Sequence, residues 1–175
     1  MDLAEQMGHG LLLAAVGSRL AGVARVHYEH AGQVDTATGP LELVFEDGRT
    51  LVLITGAHGE WLRVDPQRWE DAFPEPLADE DRAYVEAHGT LRRFDARGWP
   101  GYAEAVGRPL TRVRWLAREW GAVGGVELSF GPAALTFVSW GDEEYVFPGP
   151  AAAVPSGWGF RVLPAADHPI PAPAP

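Results

Sequence analysis

The pattern of apolar and polar residues along this chain occurs nearly twice. Val16–Glu29 is echoed by Val106–Glu119, and an alternating apolar run follows each segment, over Leu41–Val64 in the first copy and Val126–Phe147 in the second. Within these runs, Glu42, Leu43, Phe45, Leu51, Glu60 and Trp61 correspond to Glu127, Leu128, Phe130, Leu135, Glu144 and Tyr145. An internal repeat constrains the architecture, because each copy is expected to form the same supersecondary unit.

Each copy alternates between apolar and polar residues over short stretches, which is typical of β-strands that bury one face. Asp47 and Gly48 lie between two such stretches and predict a tight hairpin turn, because glycine adopts the positive φ that the turn requires. The predicted strands are Leu20–Glu29, Leu41–Phe45, Thr50–Ile54 and Glu60–Val64 in the first copy, and Thr111–Glu119, Val126–Phe130, Ala134–Ser139 and Glu144–Phe147 in the second. Each copy is therefore predicted to form a four-stranded antiparallel meander.

Helical patterns precede both meanders and lie between them. Asp2–Val16 has apolar residues near the helical period and is followed by glycine, and Tyr102–Val106 is predicted as a short helix in the matching place. Asp79–His88 begins with acidic residues and ends before glycine, as expected for a helix with a positive N-terminal end. Proline-containing Asp65–Leu77 is predicted to be a loop, and Phe160–Leu163 a short edge strand.

The predicted fold class is α+β and mostly antiparallel β, with two tandem helix-plus-four-strand repeats packed as one pseudo-twofold domain. The repeats are expected to share one core, because a meander of about 45 residues is marginal alone. The expected organisation is a first repeat at 1–64, a linker with a helix at 65–99, a second repeat at 100–147 and a Pro/Ala-rich tail at 148–175. Asp167–Pro175 is expected to be extended and to contribute nothing to stability.

The composition changes the expected partners. The chain has 175 residues and a formal net charge of -10, its basic side chains are all arginine, and it contains no cysteine. An acidic surface repels phosphate backbones and anionic lipid, so nucleic acid and membrane are not expected partners, whereas a basic protein would be attracted. No apolar run approaches the roughly 20 residues that span a bilayer, and a cytoplasmic location is expected.

The catalytic inventory is thin. The chain has no thiol nucleophile and no lysine base, and it contains neither a phosphate-binding glycine loop nor a serine in a nucleophile turn. His27 and His30 lie three apart on a predicted strand and therefore point to opposite faces, so they are interpreted as surface residues rather than ligands of one metal ion. No cofactor, metal site or catalytic residue is predicted.

Glu42 and Glu127 hold equivalent positions in the two copies, which indicates a shared structural role. A cross-strand pair with an arginine, such as Arg25 or Arg114, would satisfy each carboxylate.

An acidic hairpin carries the candidate binding residues. Asp142, Glu143 and Glu144 place negative charge between Trp140 and Tyr145. A solvated acidic turn explains this cluster without any function. The functional alternative is a protein-binding face, because aromatic anchors within a charged rim are typical of interfaces. The candidate partner-binding residues are therefore Trp140, Asp142, Glu143 and Glu144.

The segments ELxFEDGRxLxL, from Glu42, and GGVELxF…SWGDEEYVF, from Gly124, lie in a small acidic chain with a duplicated meander. In these features, Val16–Phe147 resembles immunity proteins of bacterial polymorphic toxin systems. The resemblance implies a protein that binds and occludes a cognate toxin domain and has no catalytic residues. A toxin-neutralising immunity protein is therefore the preferred function; the alternatives are a general interaction or scaffold module and an enzyme or small-ligand-binding domain.

Overall fold

The structure is a computed structural model and describes residues 8–56, 59 and 61–164. Its helices are α1 (His9–Ala14) and α2 (Asp79–His88), with 3-10 turns at Ala151–Ala153 and Ser156–Trp158. Its strands are β1 (Leu20–His30), β2 (Gln33–Asp35), β3 (Leu41–Phe45), β4 (Thr50–Thr55), β5 (Leu62–Asp65), β6 (Thr90–Asp95), β7 (Arg112–Arg118), β8 (Val123–Phe130), β9 (Ala133–Trp140), β10 (Glu143–Pro148) and β11 (Phe160–Val162). The predicted α+β class with mostly antiparallel strands is confirmed. No helix in the described ranges is long and apolar enough to cross a bilayer.

The first sheet is organised around the long strand β1. Its strand order is β2-β1-β3-β4-β5, and β6 joins it at the free edge of β1. The residues 20–25 of β1 pair with β3, whereas Tyr28–His30 pair with β2 in a hairpin. On the opposite edge, the residues 24–29 pair with β6. β1 therefore has neighbours on both sides along the middle of its length.

The second sheet has the order β10-β9-β8-β7-β11, with antiparallel neighbours throughout. The predicted edge strand is confirmed, because Phe160–Val162 pair with the end of β7. Each sheet thus contains a four-stranded meander with a later strand paired to its first member, and the first sheet also contains the short strand β2.

The two meanders have the same register at matched positions. The pairs are Val23 with Leu43 and Leu43 with Leu51 in the first sheet, and Val113 with Leu128 and Leu128 with Leu135 in the second. The similarity visible in the sequence therefore extends to the strand pairings.

The inward faces of the two sheets contribute to one buried apolar cluster. Leu43 and Leu128 are both fully buried in it, and Leu12 of α1 joins them. Its other large members include Phe45, Leu51, Leu53, Leu62, Phe130, Leu135 and Phe137. Burial of a leucine or phenylalanine side chain contributes about 1.5–3 kcal/mol each, so this cluster is a principal source of stability.

The helices before the meanders differ from the prediction. α1 ends at Ala14, and residues 2–7 of the predicted helix lie outside the described ranges, as does the predicted tail Asp167–Pro175. The prediction of a helix at Tyr102–Val106 is wrong, because this stretch is a series of turns. The N–H of Ala105 bonds to the carbonyl of Tyr102, three residues earlier, and Gly107 follows with a φ of 78°, so the stretch is too short for a run of helical bonds.

The segment predicted as a linker also contributes a strand. Thr90–Asp95 form β6 beside β1, a strand that the sequence did not predict. Leu91 is exposed, and two arginines follow it, so the apolar alternation that marks a half-buried strand is missing.

The predicted match of Trp61 with Tyr145 is also wrong. Leu53 and Phe137 hold equivalent positions, two residues after the matched Leu51 and Leu135. Leu53 lies opposite Val64 and Phe137 lies opposite Val146, so Val64 is the equivalent of Val146. Trp61 therefore precedes β5, because the β4–β5 connection is longer than its counterpart. Tyr145 does not join the inter-sheet cluster; it packs on the outer face of the second sheet.

Glu42 anchors a chain segment on the outer face of the first sheet. One carboxylate oxygen accepts hydrogen bonds from Nε and Nη2 of Arg93 at 2.9 and 2.6 Å, and the other accepts the N–H of Trp69 at 2.8 Å. The predicted partner Arg25 is wrong, because its guanidinium instead donates to Tyr102 and to backbone carbonyls. Ala24, opposite Glu42, has a small side chain that leaves Arg93 a path from β6.

Glu127 anchors a chain segment on the outer face of the second sheet, as Glu42 does on the first. Here the predicted partner Arg114 is confirmed. Nε and Nη2 of Arg114 donate to the carboxylate at 3.0 and 2.6 Å, and the N–H of Ala151 donates at 2.7 Å. Burial raises the pKa of Glu127, but the bonds from Arg114 and Ala151 outweigh burial and lower it. Ionised Glu127 therefore fixes the segment that covers part of this outer face.

Candidate functional site

The outer face of the second sheet presents aromatic side chains that strand alternation selects. Phe137 of β9 points into the inter-sheet cluster, whereas Val138 belongs to a second cluster on the outer face. Trp140 lies two residues beyond Val138 and projects from the same face. Because it ends the strand, it is only partly covered, with 36% of its surface exposed.

Trp158 supports Trp140 from the segment that follows β10. The two rings stack with centroids 4.8 Å apart and planes within 13°. Trp158 also makes edge contacts with Tyr145 at 4.7 Å and Phe147 at 5.7 Å. These contacts on three sides hold Trp158 in place and give Trp140 a rigid backing.

Arg118 extends the aromatic surface to the other side. Its guanidinium carbon lies 5.3 Å from the ring centre of Trp120 and 4.8 Å from that of Phe160, so it makes cation–π contacts with both. Its Nη2 donates to the carbonyl of Ser139, next to Trp140, at 2.6 Å. Trp120 is 60% exposed although it rests on this guanidinium.

Acidic residues border these rings. Glu119 lies in the β7–β8 turn, and Asp142 and Glu143 lie in or beside the β9–β10 turn; all three are exposed. Alternate turns of an antiparallel meander lie at the same end of a sheet, so both turns flank the exposed tryptophans. We call this surface the aromatic face and define it by Arg118, Trp120, Trp140, Trp158, Phe160, Glu119, Asp142 and Glu143.

The structure separates the predicted partner-binding residues. Trp140 and Glu143 lie on the aromatic face, and Asp142 is exposed at its edge with its carboxylate packed against Gly59 of the β4–β5 connection. Glu144 is turned toward the first sheet. Its Oε1 accepts the N–H of Thr55 at 3.0 Å, and its carbonyl accepts the N–H of Gly39 at 2.9 Å. Glu144 therefore joins the two sheets, and its carboxylate is not an exposed part of the acidic rim.

Sequence reasoning did not include Arg118, Trp120, Trp158 and Phe160 in the site. They come from β7, its following turn and the chain after β10, so only the folded sheet brings them to Trp140. The position of Trp120 in the sequence Glu119-Trp120-Gly121 could have indicated its exposure. A large aromatic residue in a tight turn has few neighbours that can bury it.

The prediction that His27 is a surface residue is wrong. It is fully buried, its Nδ1 lies 2.7 Å from the carbonyl of Thr38, and its ring stacks on Trp99 at 5.8 Å. His30, three residues later, is exposed. Within the described ranges, no group of three or more histidine, cysteine, aspartate or glutamate side chains is placed to hold a metal ion.

We expect His27 to make stability fall in mild acid. Burial lowers its pKa below the usual 6.5, and Arg25 adds to the effect, although the Thr38 hydrogen bond and Asp35 oppose it. The unfolded chain therefore binds a proton that the folded chain resists, and stability is lost as pH falls from about 6.5 toward the folded pKa. Urea unfolding between about pH 7.5 and 5 measures the slope, which His27→Gln should reduce and His30→Gln should not.

The aromatic face offers contact area, indole donors and carboxylates at fixed positions. No protein-family model, no curated protein and no solved structure matches this chain.

Proposed function

We propose that this protein is a non-catalytic protein-binding module that binds a basic protein through the aromatic face. The observation that carries the proposal is the pair of exposed tryptophans, Trp120 and Trp140, each backed by a packed side chain and bordered by exposed acid. A cytoplasmic location is part of the same proposal.

The packing behind the tryptophans favours binding. Stacking on Trp158 and on Arg118 restricts Trp140 and Trp120 before any partner arrives. Little side-chain entropy is then lost on association, and large aromatic rings contribute most to interface hot spots. Isolated exposed tryptophans would be unremarkable, whereas two of them on one supported surface suit a docking site.

The charge favours a basic partner. A net charge of -10 attracts a basic protein over long range, and Glu119, Asp142 and Glu143 provide a local acidic rim at the anchors. A toxin domain that binds an anionic substrate has a basic surface that this acidic rim would attract. We therefore propose a cognate toxin as the partner, in agreement with the resemblance to immunity proteins, and a general interaction module as the alternative.

We also infer that the two meanders are related by an approximate twofold rotation within one domain. The equal registers at Leu43 and Leu128 support this relation. So do the buried Glu42 and Glu127, each of which fixes the chain after its meander. Matched substitution of the two leucines tests it.

The binding proposal is tested with single substitutions of the anchors. The wild-type protein, immobilised, is expected to capture a basic protein from its native host, and that protein is then purified for binding measurements. Trp120→Ala and Trp140→Ala should each weaken binding by about 2 kcal/mol or more, roughly thirtyfold in Kd. Tyr84→Ala is the matched control, because Tyr84 is an aromatic residue of α2 with 53% exposure, away from the aromatic face.

The acidic rim is tested separately through the association rate. Asp142→Asn with Glu143→Gln removes two charges and should slow association at low salt with a smaller effect at high salt. Asparagine suits position 142, where φ is 67°, and Glu144 is left unchanged because it joins the sheets. Asp79→Asn with Glu80→Gln on α2 is the charge-matched control. Unchanged capture by both tryptophan variants would refute this face, and turnover of a small substrate would contradict the non-catalytic class.

A further inference from the structure

A cavity lined by arginine lies on the outer face of the first sheet, away from the aromatic face. Its volume is about 340 Å³, within the range of small-molecule sites. Its floor is formed by small or apolar residues of β1, β3 and β4, and its walls come from β6, the following turn and the chain after β5. Gly22 and Val44 lie in the floor, and Arg68, Arg93, Asp95 and Arg97 lie in the walls.

The wall arginines retain hydrogen-bond donors that the protein does not use. Arg93 donates Nε and Nη2 to Glu42, and Arg97 donates Nε and Nη2 to Asp95. In the described part of the chain, Nη1 of both residues has no hydrogen-bond partner, and Arg68 has neither a hydrogen bond nor an ion pair. Three guanidinium groups thus face one cavity with donors available.

The charge of the lining favours an anion. Three arginines, Arg68, Arg93 and Arg97, line the cavity with one carboxylate, that of Asp95. Glu42 and Asp71 bind the side chain and the N–H of Arg93 from outside the lining. The lining itself therefore carries more positive than negative charge, in a chain whose net charge is strongly negative. The guanidinium fork is well suited to binding an oxyanion.

We propose that this cavity binds the phosphate group of a small organic phosphate. A phosphate has enough acceptor oxygens to engage donors from several directions, whereas a carboxylate has two oxygens and one charge. The apolar floor at Gly22 and Val44 receives the organic part of the ligand. This site is independent of the aromatic face, so either proposal can fail alone.

The probe is phenyl phosphate, which joins a dianion to a small apolar body. Calorimetry in low-salt Tris buffer at about pH 8 should give saturable binding with one site per chain. Inorganic phosphate should bind more weakly because it does not use the floor, and benzoate more weakly because it carries one charge. Phenol should not bind.

The variants are chosen to leave the fold intact. Arg68→Gln and Arg97→Gln should each weaken phenyl phosphate binding by about tenfold or more, the effect of one charge-assisted hydrogen bond. Arg161→Gln, an exposed arginine on β11, changes the net charge equally and should leave the affinity unchanged. Arg93 is left in place because its loss would leave Glu42 buried without a cation.

The proposal is overturned if phenyl phosphate shows no saturable binding to the wild-type chain. It is equally overturned if Arg68→Gln and Arg97→Gln weaken binding no more than Arg161→Gln does, since the effect would then be one of net charge. Benzoate binding as tightly as phenyl phosphate would refute the choice of phosphate.

Discussion

Arg93→Met is expected to lower the free energy of unfolding by about 3–5 kcal/mol, the usual effect of removing one member of a buried ion pair. Glu42 is fully buried, and the guanidinium of Arg93 supplies two of its hydrogen bonds. Methionine keeps much of the apolar stem but leaves the carboxylate with the N–H of Trp69 as its remaining hydrogen bond. The segment that Glu42 fixes after β5 should also lose protection from hydrogen exchange.

Arg97→Met is the matched control. Arg97 also forms a short ion pair, with Asp95 at 2.6 Å, but both side chains are at least half exposed. Water solvates both groups when such a pair is broken, so the expected change is below about 1 kcal/mol. Guanidinium unfolding of the two variants beside the wild type makes the comparison, and equal effects would show that burial of Glu42 does not govern the loss.

A second substitution identifies the cause. If the loss comes from a buried carboxylate that has lost its cation, adding Glu42→Gln to Arg93→Met should recover part of the stability, because a neutral amide costs less to bury than a charge. A double variant that is no more stable than Arg93→Met would assign the loss to packing instead.

The strand pairings explain why the sequence predicted the ion pair of Glu127 with Arg114 but not that of Glu42 with Arg93. Arg114 lies directly opposite Glu127 on adjacent strands, so spacing along the repeat was sufficient to pair them. In the first sheet, Ala24 lies at the position opposite Glu42, and the cation comes instead from β6. The sequence did not predict β6, because its residues are charged and partly exposed. Nearest-neighbour partners follow from strand alternation, whereas a partner that crosses an intervening strand depends on the complete sheet.

The aromatic face was predictable in part for a similar reason. Trp140, Asp142 and Glu143 lie together in one hairpin, and the sequence indicated that hairpin directly. Trp158 and Trp120 reach it from elements that are distant in the chain. Glu144, adjacent to Glu143, was misplaced because successive residues of a strand point to opposite sides, and one of those sides here faces Thr55.

Leu43→Ala and Leu128→Ala are expected to destabilise the protein by similar amounts, each about 2–5 kcal/mol, the range for leucine truncation in a core. Both side chains are fully buried in the same cluster and lie opposite a valine and a leucine of their neighbouring strands. If an approximate twofold rotation relates the meanders, the two cavities have similar surroundings and similar energies. Urea unfolding measures both values, with Val162→Ala on the exposed edge as the control.

Either leucine variant should also unfold in one transition. Residues of both sheets belong to one buried apolar cluster. A cavity made at Leu128 should therefore also remove contacts from residues of the first sheet. Hydrogen exchange in β3 and β4 should therefore accelerate in Leu128→Ala as much as exchange in β8 and β9. Two separate transitions, or exchange changes confined to the sheet that carries the substitution, would mean that each meander is stable alone. A single transition with unequal losses in the free energy of unfolding would agree with a shared core but refute the twofold relation. The two leucines would then lie in different packing environments.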